Sequence, residues 1–431
     1  MTDLHPTRRD VARLAGVAGL GVAAPALLGG CADGTRQAGA VGATAGRPVA
    51  VRAWRVSGTA LAGLGGFDAT IQKFMQERRI TAGQLAVVRK GKLLLAHGYT
   101  LGDASLSVQP TSLFRVASLS KPVTATAIHK LVQDGKLKLT DRVATLLGLS
   151  TAADPRLKDV TVLRLLQHLG GWDRNVTPDV MFRDLHISRQ LGVPMPISRA
   201  HVMKYASTLK LDHAPGTVPA YSNYGYLLLG RIIEKASGMS YGAYVQQKVL
   251  TPRGIKRMKL GRTLTRATGE VTYLSDKTGP TVFDGSAKQV PLPNGAFNLE
   301  NMDAHGGWLS TAVDLVRFAG IYDAPSTVLN AASIKQAFAK PATGVNASGY
   351  YYGAGWLVRP VTGGLNTWHD GSLAGTTSLL VRRFDGLTWA VLFNRRQEGT
   401  GASFGEIDGL LHKAAAGVKA WPTGDLYPKY F

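Results

Sequence analysis

The chain of 431 residues has a single cysteine, Cys31, so no disulfide can close within it, and no cysteine–histidine spacing of a zinc site can be built. Its ten histidines form no His-Glu-x-x-His motif, and its 51 glycines form no phosphate-cradling loop. Neither a metal nor another cofactor is expected. No stretch offers the roughly 20 strongly apolar residues of a good transmembrane span. Acidic side chains are also scarce, with 28 Asp and Glu against 50 Lys and Arg, a formal net charge of +22. That excess favours anionic surfaces. The basic residues are scattered, without an aromatic-interleaved stripe or a zinc-finger or RNA-binding signature, so the expected partner is an anionic cell envelope and not nucleic acid. With 45% apolar and 18% charged residues, the chain can bury a large core.

The first thirty residues read as an export signal. "PTRRDVARLAGVAGLGVAAPALLGGC" sets Arg8 and Arg9 before a weakly apolar Ala/Gly/Leu stretch and ends in small residues before Cys31. The arginine pair resembles a twin-arginine signal, and "LLGGC" resembles a lipobox whose cysteine receives lipid. Residues 31–53 continue as a small, polar, aperiodic segment, suited to a flexible tether behind a membrane anchor. The expected location is the bacterial cell envelope, on the periplasmic or outer face.

The remainder reads as one α/β body with an insertion. "QLAVVRKGKLLLAHGY" (84–99) and "SLLVRRFDGLTWAVLFN" (378–394) are paired β-rich runs around Lys90-Gly91 and Asp385-Gly386, the turn chemistry of hairpins. Residues 119–134 carry Val123, Ile128, Leu131 and Val132 near helical spacing, with Gly135 as a stop. Residues 146–290 are mostly helical pieces and loops. The expectation is an antiparallel sheet built from 54–145 and 291–431, flanked by helices, with a helical lobe inserted over 146–290 and a ligand cleft between lobes.

Three short elements carry chemistry. Ser118 and Lys121, three apart at a helix start, can share a face, where an amine could take the serine hydroxyl proton. Alone, the string also fits an N-capping serine and a solvated lysine. Tyr221-Ser222-Asn223 follows a Pro/Gly loop and precedes an apolar helical run over 224–236. A phenol there can relay a proton if a neighbouring ammonium favours its phenolate, and the Asn223 amide can hold Lys121 or a substrate carbonyl. His369-Asp370-Gly371 lies in "WHDGSLAGTTSLLV", where Gly371 would admit substrate close to the backbone.

Taken together in this order, "FRVASLSKPVTATAIHKLVQDGKLKLTDRV", "APGTVPAYSNYGYLLLGRIIEKASG" and "WHDGSLAGTTSLLV" resemble the nucleophile, Tyr-x-Asn and Lys-Thr-Gly elements of the serine β-lactamase and penicillin-binding hydrolases. The likeness is to class C β-lactamases, D,D-peptidases and related esterases, and covers most of residues 55–400. It implies a β-lactamase/transpeptidase-like fold, with Ser118 as nucleophile and Lys121 and Tyr221 as its catalytic partners. It also implies an oxyanion hole from the backbone N–H groups of Ser118 and Ser372, and substrate contacts at Asn223, His369 and Gly371. His168, His305 and Trp308 are read as structural or cleft-lining.

Where the family carries lysine, His369 is mostly neutral at pH 7, and Asp370 would repel an anionic group if it faced the cleft. Both departures point to a serine hydrolase of ester or amide carbonyls acting on a small-molecule or peptidoglycan-related substrate. A D-Ala-D-Ala carboxypeptidase or class C-type β-lactamase is the alternative. A non-catalytic envelope lipoprotein that binds cell-wall fragments is the alternative of another class. For the anchor, Cys31→Ser is expected to block lipid attachment and abolish detergent-dependent membrane partitioning. Unaltered partitioning in a fractionation experiment would exclude it.

Overall fold

The computed structural model describes residues 53–102 and 107–431. The export signal, Cys31 and the tether up to residue 52 lie outside the described residues.

The two hairpin runs become neighbouring strands. β1 (Trp54–Ala60), β2 (Ala82–Arg89) and β3 (Lys92–Leu101) come from the start of the body. Two short strands, β4 (Phe114–Arg115) and β5 (Lys259–Leu260), flank β8 (Trp308–Ser310), while β6 (Thr278–Pro280) pairs with β7 (Gln289–Pro291). β9 (Tyr351–Tyr352), β10 (Leu357–Val361), β11 (Gly364–Leu373), β12 (Thr376–Arg382) and β13 (Leu387–Phe393) complete an eight-stranded sheet of order β1-β3-β2-β13-β12-β11-β10-β9. Every pairing in that sheet is antiparallel. The two chain ends meet at β2 and β13, with Val87 opposite Trp389.

Strand periodicity divides the core. Leu85 and Val87 of β2 join Trp389, Val391 and Phe393 against one face, covered by helices Gly65–Glu77 and Glu406–Ala416. Ala86 and Val88, one residue out of phase, face the other cluster with Ala390 and Leu392. That second cluster holds helix Ser120–Gln133, within one residue of the span expected from periodicity, and Gly135 follows at φ +69°. Its surface is small: Ala125, Ala127, Thr124 and Thr126 are all buried. Gly355 shows how closely it is packed, since a Cβ there would lie 2.5 Å from the Ala125 Cβ. Its two buried threonine hydroxyls find partners, Thr124 bonding Tyr241 at 2.7 Å and the Ala304 carbonyl at 2.6 Å, and Thr126 bonding Tyr322 at 2.7 Å.

Residues 146–290 contribute helices Val162–Leu166, Asp184–Leu191, Arg199–Ala206, Asn223–Ser237 and Tyr241–Val245, together with the short strands β5 and β6 and most of β7. Helix Asn223–Ser237 starts where Ser222 Oγ accepts from the Gly225 N–H at 3.1 Å, and stops at Gly238 with φ +71°. Its apolar face packs into the same core as helix Ser120–Gln133. The starts of both helices and the end of β11 therefore converge on one place.

Candidate active site

Ser118 lies in a 3₁₀ turn, Ala117–Leu119, that runs into helix Ser120–Gln133. The turn is held in a costly shape: Ala117 has φ +47°, a region a non-glycine residue enters only when its surroundings enforce it. The surroundings are specific. The Val116 N–H donates to the Trp308 carbonyl at 3.0 Å, and Ser378 Oγ donates to the Val116 carbonyl at 2.8 Å. Ser120 Oγ accepts from the Trp308 N–H at 3.2 Å, so the second serine of the pattern clamps the turn and does not face the cleft.

Gly371 closes the third side. A Cβ there would come 2.5 Å from the Val116 carbonyl oxygen and 3.2 Å from the Ala117 Cβ, so only glycine lets β11 run this close to the Ala117–Leu119 turn. On β11 the side chains alternate: His369, Gly371 and Leu373 are buried, whereas Asp370 and Ser372 are exposed. β10 pairs with β11 only as far as Trp368, so beyond that residue one edge of β11 is left for the cleft. Ser372 lies on this stretch, opposite Thr377 of β12.

Lys121 is fully buried. Its Nζ lies 3.1 Å from Ser118 Oγ, 2.7 Å from Asn223 Oδ1 and 3.0 Å from the His305 carbonyl oxygen. The Asn223 amide is oriented by its other end, where Nδ2 donates to Asp179 Oδ2 at 2.6 Å, so Oδ1 must point at the lysine. Burial pushes the Lys121 ammonium well below the usual lysine range, and the Arg174 charge adds to this, with Asp179 and Asp370 opposing. In its neutral form the amine would have two N–H donors for two fixed acceptors, Asn223 Oδ1 and the His305 carbonyl, which would leave its lone pair for the Ser118 hydroxyl.

The Tyr221 hydroxyl donates to Ser118 Oγ at 2.8 Å. Burial pushes the phenol well up, against the Ser118 hydrogen bond and the Arg174 charge. The resting group is therefore a neutral phenol, because desolvation outweighs the neighbouring Arg174 cation. The His168 ring lies tilted at 4.3 Å between centroids from both Tyr221 and Tyr352, and its Nδ1 accepts from the Ser222 N–H at 3.2 Å. That tautomer and a φ of +56° fix the ring as a wall for Tyr221. His369 donates from Nδ1 to the Asp370 carbonyl at 2.6 Å and accepts at Nε2 from Tyr352 at 2.9 Å. Burial lowers its pKa to about 4, so it is neutral at pH 7.

Ser118, Lys121, Tyr221 and Asn223 thus meet in one hydrogen-bonded group, with Gly371 against its turn and His369 behind Tyr221. Sequence reasoning missed Asp179, Arg174, Tyr352 and the His305 carbonyl. Asp179 and Arg174 sit in an irregular segment whose residues match no motif, and a backbone carbonyl leaves no trace in residue identity. A cavity of about 30 Å³, room for about two waters, lies beside Tyr221 and Asn223 and is bordered by Trp172, Arg174 and Asp179.

A serine hydroxyl held between a buried amine and a phenol, at the end of a β-strand and the start of a helix, defines a serine hydrolase. Residues 67–409 match the model of the family described as Beta-lactamase. The chain belongs to that family. It is 29% identical over 317 residues to penicillin-binding protein 4 of Amycolatopsis lactamdurans, covering 70% of this chain and 78% of the relative. It is 28% identical over 359 residues to penicillin-binding protein 4* of Bacillus subtilis, covering 80% and 74%. Among solved structures, the octameric penicillin-binding protein homologue of Pyrococcus abyssi superposes with a TM-score of 0.63 at 24% identity, covering 82% of this chain and 77% of that one. The D-amino acid amidase of Ochrobactrum anthropi superposes at 0.62 with 22% identity, covering 83% and 97%. The hydrolase EstCE1 superposes at 0.66 with 18% identity, covering 82% and 98%.

Gly371→Ala is the sharpest test of the packing. The new Cβ must displace the nucleophile turn, so a destabilisation of about 1–3 kcal/mol is expected, read as a lowered melting temperature, together with slower covalent labelling of Ser118. A variant with wild-type melting and labelling would show that β11 does not set the turn.

Proposed function

We propose that the protein hydrolyses an ester or amide carbonyl through an acyl-serine intermediate, and the placement of Lys121 carries this reading. The neutral amine takes the proton of Ser118 Oγ as that oxygen bonds the carbonyl carbon. The negative oxygen that develops is received by the backbone N–H groups of Ser118 and Ser372. When the intermediate collapses, the bond to the leaving group breaks and Tyr221 supplies its proton. The Lys121 ammonium, which shares Ser118 Oγ as a neighbour with Tyr221, then returns its proton to the Tyr221 phenolate oxygen, leaving the acyl-serine with a neutral amine and phenol. A water molecule then attacks the acyl carbon, loses its proton to the same pair, and the acid departs with Ser118 restored.

Substrate charge supports an ester or amide substrate over a β-lactam. The neutral His369 supplies no cation for a substrate carboxylate, and the exposed Asp370 carboxylate has no hydrogen bond or ion pair among the described residues. A D-amino-acid peptidase or amidase is the second reading, favoured by the names of the penicillin-binding and D-amino acid amidase relatives. Exported and held by lipid at Cys31, the enzyme would meet such substrates in the anionic envelope that its net charge of +22 favours.

A panel of a short acyl ester, a D-Ala-D-Ala peptide and a chromogenic β-lactam separates these readings. Turnover of the ester is expected to exceed that of the β-lactam, and Ser118→Ala should abolish both turnover and the single adduct formed by a serine-directed phosphonate. An adduct that persists in Ser118→Ala would remove Ser118 as nucleophile, and a stable acyl-enzyme without turnover would favour a binding lipoprotein.

Tyr221→Phe removes one hydroxyl, and a loss of about a hundredfold or more in turnover per folded molecule is expected, the scale of general acid–base catalysis. Lowered melting with turnover intact would make the tyrosine structural.

A further inference from the structure

Two basic side chains approach the Tyr221 ring. Lys121 Nζ is 4.6 Å from the ring centroid, and the Arg174 guanidinium carbon is also 4.6 Å from it. Only the first of these belongs to the proton chemistry described above. Arg174 comes from the insertion, half-buried beside the cavity that borders Tyr221 and Asn223. At this separation a guanidinium interacts with the ring face directly.

Electrostatic balance gives this placement a consequence. Around Lys121 and Tyr221, the strand element that could carry a permanent cation holds His369, which is neutral and bonded to Tyr352 and its own chain. From the loops, His168 and His305 are held neutral by burial, with the nearby Lys121 charge disfavouring protonation of both. Tyr226 and Tyr352 are buried phenols held above their usual range. The remaining charges that act on the pair are the Asp179 and Asp370 carboxylates and the Arg174 guanidinium. With Lys121 neutral, two anions face one permanent cation.

We propose that Arg174 is a positioning residue, the permanent cation of this site, which sets the proton balance between Lys121 and Tyr221 from the insertion lobe in place of the neutral His369 on β11. This rests on the serine-hydrolase reading above. Without Arg174 the two carboxylates act unopposed, and a positive charge on Lys121 becomes easier to hold. The sign is then fixed: Lys121 retains its proton to higher pH, fewer molecules carry the free amine at neutral pH, and Ser118 is activated later in a titration. Tyr221 moves the same way, since its anion loses a favourable neighbour.

The test needs no knowledge of the substrate. The rate of Ser118 labelling by a fluorophosphonate is followed across pH for wild type, Arg174→Gln, Arg174→Lys and Arg174→Met, the last keeping an unbranched apolar stem over the ring. In Arg174→Gln and Arg174→Met the half-maximal pH is expected to rise by about one unit, the scale of one charge several ångströms away at an effective dielectric near 20. At any pH on the rising limb, labelling then falls by about tenfold and recovers in alkali. Arg174→Lys should keep the wild-type profile. A uniform loss of rate at every pH in the neutral variants, or a profile that stays in place, overturns the proposal and leaves Arg174 a packing residue. Failure of the wild type itself to be labelled overturns the hydrolase reading and this inference with it.

Discussion

Lys121 is the constraint on which the site depends. Burying an ammonium costs several kcal/mol even after relaxation, and each unit by which its pKa falls corresponds to about 1.4 kcal/mol. The fold meets that cost by fixing two acceptors, Asn223 Oδ1 and the His305 carbonyl, and leaving a third direction to Ser118. Each acceptor comes from a different part of the chain. Helix Asn223–Ser237 must start beside helix Ser120–Gln133, and the segment carrying Asp303 to His305 must lie across both. Asp303 shows how firmly that segment is tied: its carboxylate takes Arg199 at 2.6 Å and Arg231 at 2.7 Å, and caps the Ala304 N–H at 2.7 Å. Burial in this setting disfavours the desolvated cation relative to the free amine.

Ser118 is positioned by close backbone approach. Ala117 sits at positive φ because Val116 is bonded on both sides, to Trp308 and Ser378, and because Gly371 offers no side chain to push the turn away. Strain of this kind persists only where rigid elements surround it. Here β8, β11 and β12 supply that frame, and the large antiparallel sheet holds β11 and β12 through pairings that run from Thr367 to Leu373.

Charge is distributed unevenly between the chain and its site. The molecule is strongly basic, yet the residues acting on Lys121 and Tyr221 include Asp179 and Asp370 against Arg174. The long-range field of this strongly basic molecule is therefore not the local field at Ser118. Proton transfer there depends on the few groups within direct reach, in a region where water screens poorly.

Much of this was legible in the sequence. Both hairpins follow from Lys90-Gly91 and Asp385-Gly386 between apolar runs, and helix Ser120–Gln133 from apolar spacing that ends at Gly135, because turns and helix ends obey local rules of backbone sterics and capping. The residues Ser118, Lys121, Tyr221 and Asn223 were visible because each carries a functional group in a patterned string. The protonation of the site was not. Desolvation is a property of everything packed around a group, so that Lys121 is pushed down, that Tyr221 stays a phenol and that His369 sits near a pKa of about 4 emerge only once the lobes are assembled. The same holds for Arg174 above the Tyr221 ring, Asp179 behind Asn223 and the His305 carbonyl on the lysine. Sequence by itself determined which groups are present and which local turns present them. Tertiary structure alone decided which of them lose their water, and with it which can hold or release a proton.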